Sequence, residues 1–123
     1  MDNAPAPKPR GLLRLRKACT YSLQGLSCCF EKEEAFRQEV MLAIFAIPLG
    51  LWLGDTAAEK ALLAGSILFL MIVEILNTGL ERVVDRISTD HHPLSGEAKD
   101  MGSAAVMLAI GLVALVWIVI LVG

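Results

Sequence analysis

Charge is missing from the end of this 123-residue chain: residues 101–123 include no Asp, Glu, Lys or Arg. A bilayer-crossing helix needs ~20 apolar residues, so this stretch is long enough to span, and far too long for a buried strand. Basic residues are scarce in the middle of the chain, where Lys60 alone lies between Arg37 and Arg82. Glycine-rich phosphate loops are absent. Neither G-x-x-x-x-G-K-[ST] nor G-x-G-x-x-G occurs, which excludes both common kinds of nucleotide site. The three cysteines, Cys19, Cys28 and Cys29, have neither zinc nor redox spacing. His91 and His92 are adjacent rather than four apart, which argues against a metal pair on a helix. The opening residues lack the apolar core and cleavage site of a secretory leader, so the first apolar run is expected to be a retained anchor.

What is present is apolar and sorted. Apolar residues make up 55% of the chain, against a net charge of only -2, and the mean hydropathy is +0.60. These values suit a small membrane protein. Apolar runs cover 40–54, 61–80 and 101–123, and only Glu74 interrupts the second with a charge. The expected architecture is all-α: a disordered tail over 1–10, then a single membrane domain over 11–123. Within it we expect a surface helix over about 11–34 and spans over about 35–54, 61–85 and 98–122. Pro48 would kink the first span, which neighbouring helices can accommodate. The N-terminal segment and the loop after the second span hold every Lys and Arg except Lys60. The positive-inside rule then puts the N-terminus and that loop in the cytoplasm and the C-terminus outside, with the thiols on the reduced side.

The second span carries the strongest functional signal. Asn77, Glu81 and Asp85 follow Glu74 at offsets of three, seven and eleven residues. At roughly 100° per residue these four side chains share one helix face. A carboxylate inside a span costs at least ~2.5 kcal/mol, so it marks a functional site by default. Glu74 and Glu81 lie about 10.5 Å apart along the axis, enough to join lipid depth to the aqueous edge.

Two flanking segments add polar groups. Leu12, Leu15, Cys19, Leu23, Leu26 and Phe30 recur at helical spacing among Arg14, Arg16 and Lys17, as in a helix lying on an anionic leaflet. Glu31, Glu33 and Glu34 fit such anchoring poorly and point to a cation, although a solvated helix turn reads the same way. In the loop, Asp90, Pro93, Ser95 and Gly96 are turn formers, so the second helix is expected to end near Thr89. The third is expected to restart near Ser95, with the Ser95 hydroxyl as its cap. Lys99 and Asp100 then face the boundary that Glu81 and Asp85 face. Carboxylates, a lysine and a buried base are the parts of phosphoryl transfer. The residues by themselves equally admit a proton-coupled transporter using Glu74, or an assembly subunit locked by polar contacts.

The run Glu74-Ile75-Leu76-Asn77-Thr78-Gly79-Leu80-Glu81, then Val84-Asp85-Arg86, then Ala98-Lys99-Asp100-Met101-Gly102-Ser103, closely resembles the small bacterial integral-membrane diacylglycerol kinases. Glu34-Ala35-Phe36-Arg37-Gln38-Glu39 matches the segment before their first span. The resemblance covers Arg14 to the C-terminus. It implies a homotrimer with sites shared between subunits, in the bacterial cytoplasmic membrane. It also implies transfer of the ATP γ-phosphate to 1,2-diacylglycerol for lipid recycling, with Mg²⁺ and no nucleic-acid partner. A sister branch with a similar core acts on undecaprenol, and the loop and third-span motifs resemble the diacylglycerol branch.

By the same resemblance Glu74 is the general base, and Glu33 and Glu81 hold the metal. Lys99 and Asp100 would contact nucleotide, with Arg14, Tyr21, Asp90, His91 and His92 near it. Asn77 and Asp85 would support the site. Arg14, Glu39, Ser103 and Trp117 would lie along the lipid side with Glu74. Two positions depart from the pattern: Glu97 stands where the best-known members carry Arg, and Leu23 where many carry Trp.

Overall fold

The computed structural model describes Ala4, Pro5, Pro7 and residues 10–123. The rest of the expected tail over 1–10 lies outside the described residues. Four helices follow one another: α1 (Gly11–Lys32), α2 (Glu34–Leu53), α3 (Ala57–Ile87) and α4 (Pro93–Val122). No strand occurs among the described residues. The helices α2, α3 and α4 are each long and apolar enough to cross a membrane. The protein is therefore an all-α membrane protein with three candidate spans and one further helix.

Local chemistry sets the helix ends, and three of them differ from expectation. Helix α3 begins at Ala57, four residues before the apolar run, because Thr56 and Glu59 form a capping box. The Glu59 backbone N–H donates to Thr56 Oγ1 at 3.1 Å, and the Thr56 N–H donates back to Glu59 Oε2 at 3.1 Å. Helix α3 ends at Ile87 rather than Thr89, with Ser88 extended after it. Helix α4 begins at Pro93, not Ser95. His92 is its cap, Nδ1 accepting from the Leu94 N–H at 3.1 Å, and proline in the first turn costs no hydrogen bond. Helix α2 runs through Pro48 without interruption.

Helix α3 is the centre of the bundle. It packs along α2 and α4, whereas α1 meets the others only sparsely. Ala43 and Ala46 of α2 meet Ile67 of α3, flanked by Ile47, Met71, Val113 and Trp117. In lipid there is little hydrophobic drive between helices, so small residues that let backbones approach do the packing. Gly50 is one: a Cβ there would lie 2.9 Å from that of Leu63, which is fully buried. The Trp117 indole N–H donates to the Leu63 carbonyl at 3.2 Å, tying α4 to α3. Helix α1 buries Cys29 alone and leaves Leu12, Leu15, Leu23, Leu26 and Phe30 exposed, as a helix resting on lipid would.

Candidate active site

The elbow between α1 and α2 is one residue long. Glu33 ends α1 and starts α2 in an extended conformation, so its side chain leaves the path of both helices. Its N–H donates to the Cys29 carbonyl at 2.9 Å, and its carbonyl accepts from the Arg37 N–H at 3.2 Å. Arg37 Nη1 closes the elbow further by donating to the Phe30 and Glu31 carbonyls, both at 2.8 Å. These are terminal carbonyls of α1, which have no partner inside the helix.

The Glu33 carboxylate reaches α3. Arg82 Nη2 lies 3.0 Å from Glu33 Oε1, and Arg82 Nη1 donates to Cys28 Sγ at 3.7 Å. Glu74 is buried, 8% exposed, with Glu81 and Glu33 within electrostatic reach. Glu39 on α2 is also within electrostatic reach of Glu74. Asn77 Nδ2 donates to Glu81 Oε1 at 3.4 Å, which joins two members of the stripe on α3. Cys29 is buried beside Thr78. Burial pushes its thiol up from the ordinary range, the Thr78 hydrogen bond opposes this, and the charges of Glu33 and Glu74 add to the rise.

Gly102 of α4 faces the stripe. A Cβ at this position would collide with Asn77 Oδ1, an oxygen that is buried without a hydrogen-bond partner. Glycine thus lets α4 close against Asn77. Beside them Val73, Leu76, Leu80, Met101 and Ala105 line a mostly apolar hollow of about 330 Å³.

A second polar group forms at the α3–α4 turn. Lys99 Nζ lies 2.7 Å from Asp85 Oδ1. The two residues share a cavity of about 210 Å³ with Asp90, His91, His92 and Ser95. The expected site residues thus fall into two neighbourhoods: Glu33, Glu39, Glu74, Asn77 and Glu81 in one, and Asp85, Asp90, His91, His92 and Lys99 in the other.

Other expected residues stand apart. Arg14 and Tyr21 are exposed on α1, and Asp100 and Ser103 are exposed on α4. Trp117 is half-buried in the apolar core, on the carbonyl of Leu63. Sequence reasoning missed Arg37, Arg82, Thr78 and Gly102. Arg82 had a signal: a cation directly after the stripe's last membrane-edge glutamate needs a partner.

The described residues bring together no group of three or more His, Cys, Asp or Glu able to hold a metal unaided. Glu33 and Glu81 are two carboxylates that both lie within electrostatic reach of Glu74. Mg²⁺ carried on phosphates takes one or two protein carboxylates and keeps its waters.

Comparison with known proteins places the chain among relatives. The family model for prokaryotic diacylglycerol kinase matches residues 20–121. A Haemophilus influenzae protein named diacylglycerol kinase is 49% identical over 110 residues, covering 89% of this chain and 93% of its own. The Escherichia coli K12 protein of that name is 46% identical over 111 residues, with coverage of 90% and 91%. One from Pseudomonas aeruginosa is 42% identical over 123 residues, covering both chains completely.

Proposed function

The chain belongs to the prokaryotic diacylglycerol kinase family, and from that premise we propose that it transfers the γ-phosphate of ATP to the hydroxyl of 1,2-diacylglycerol. The products are phosphatidate and ADP. The carrying observation is Glu74, a buried carboxylate on a membrane-spanning helix with Glu33, Glu39 and Glu81 within electrostatic reach.

The reaction asks little covalent chemistry of the protein, so positioning and charge dominate. Glu74 accepts the proton of the lipid hydroxyl as that oxygen forms its bond to the γ-phosphorus. The bond from phosphorus to the bridging oxygen breaks, and ADP leaves with the electron pair. Glu33 and Glu81 would hold the divalent cation that accompanies the nucleotide, and that cation would offset phosphate charge. Asn77 holds Glu81. Lys99 supplies a point charge for phosphate, Asp85 holding it until nucleotide arrives. Asp90, His91 and His92 border the same cavity, which suits the remainder of the nucleotide.

We assign the N-terminus and the α3–α4 turn to the cytoplasm, where ATP is, on the distribution of Lys and Arg. A homotrimer with sites shared between subunits accounts for the outer face of α4, which buries only Gly102 and Ala109 within one chain.

The test is transfer of labelled γ-phosphate from Mg-ATP by the purified protein in mixed micelles, with diacylglycerol and undecaprenol offered in parallel. Labelled phosphatidate upholds the proposal. Label on undecaprenol alone moves the substrate to the other lipid, and no label on either defeats the kinase reading.

A further inference from the structure

Arg82 belongs to none of the roles above, yet it holds the elbow carboxylate. Its guanidinium spans two partners on the end of α1, Glu33 Oε1 at 3.0 Å and Cys28 Sγ at 3.7 Å. Arg37 already fixes the elbow's backbone through the Phe30 and Glu31 carbonyls. What remains free there is the direction of the Glu33 side chain, and Arg82 sets it. The contact takes one carboxylate oxygen and leaves the other available. A planar guanidinium with donors in a fixed fork can hold Glu33 and Cys28 together, whereas a lysine ammonium is a single point.

From this geometry we propose that Arg82 is a positioning residue for the cation-binding carboxylate: its ion pair with Glu33 sets the direction of that side chain for the divalent cation carried with ATP. The proposal rests on the reading of Glu33 as a cation ligand. Carboxylates that ligate metals are themselves held by hydrogen bonds, and removing the holder typically weakens metal binding by ~10–100-fold. A guanidinium that competed with the cation for Glu33 would have the opposite effect. A guanidinium that only pinned α1 to α3 would not change cation affinity at all.

The experiment uses the full chain in lipid micelles and follows Mn²⁺ binding by electron paramagnetic resonance, with a non-hydrolysable ATP analogue present. Glu33→Gln, Arg82→Ala, Arg82→Lys and the Glu33→Gln/Arg82→Ala pair are compared. The expected result is a rise of about tenfold or more in the Mn²⁺ dissociation constant for Arg82→Ala. Arg82→Lys should recover part of it, and the pair should be no weaker than Glu33→Gln alone. In turnover assays the Mg²⁺ requirement should rise more than kcat falls.

Unchanged binding in Glu33→Gln would remove the cation role of Glu33, and the role of Arg82 with it. A shift in Glu33→Gln with none in Arg82→Ala would leave the Glu33 reading standing and overturn the positioning proposal. Tighter binding in Arg82→Ala would overturn it in favour of competition. Labelling of Cys29 by a thiol reagent supplies the structural control. Faster labelling in Arg82→Ala with unchanged Mn²⁺ affinity would mean that Arg82 merely pins α1.

Discussion

Helices α3 and α4 are nearly equal in length, 31 and 30 residues, and both are apolar enough to cross a membrane. They differ in what they bury. Helix α3 buries Leu63, Ala64, Ser66, Ile67, Leu70, Glu74, Thr78 and Val84, three of which are polar or charged. Helix α4 buries only Gly102 and Ala109, and presents Met107, Leu108, Leu115, Ile118 and others outward. Hydropathy therefore identifies spans but ranks them in the wrong order for function. The more apolar helix turns most of its side chains outward, and the one with a costly carboxylate buries the polar groups.

Substitutions on the two helices put this difference to the test. The largest effect should come from Glu74→Gln, which removes the base and keeps the volume: kcat should fall ~10²–10⁴-fold while nucleotide binding stays close to wild type. Retained kcat would empty the stripe of its central role. Glu81→Gln comes next, with a higher Mg²⁺ requirement in steady-state titrations. An unchanged titration would leave α3 with a base but no metal ligand.

Gly102→Val brings the contrast to α4. The new side chain displaces Asn77 and should cut activity several-fold in micelles, although position 102 touches no substrate in the proposed mechanism. Leu63→Ala should destabilise the bundle by ~2 kcal/mol, the low end for such truncations, since lipid solvates leucine as well as a core does. Thermal unfolding in detergent would measure it. The smallest effect should be that of Leu108→Ala on the outer face of α4, within about 0.5 kcal/mol. A large loss there would mean that another copy of the chain covers this face.

Much of this was legible in the sequence for specific reasons. The uncharged run over 101–123 makes α4 unmistakable, and the offsets from Glu74 to Asp85 put the stripe on one face by spacing alone. The helix starts were less legible, because short-range side-chain contacts fix them rather than hydropathy. The Thr56–Glu59 capping box began α3 before its apolar run, and His92 with Pro93 began α4 ahead of Ser95. Contacts between distant segments were not legible at all. Arg82 and Glu33 are 49 positions apart, and no periodicity links them. Gly102 looked like any small residue in a span until its approach to Asn77 gave it a purpose.

Chain order gives the acidic centre a history. Outside α3, the titratable groups coupled to Glu74 are Cys29, Glu33 and Glu39, all earlier in the sequence. A ribosome making this protein therefore delivers Glu74 to a membrane where its acidic neighbours are already waiting. Helix α4 follows without needing shelter, since its length and apolarity suffice for it to enter lipid alone. It brings Lys99 to Asp85 and Gly102 to Asn77 as the final pieces. A chain truncated after α3 would keep Glu74 but lack Lys99, so in the proposed mechanism the last helix to be made is the one that completes the site.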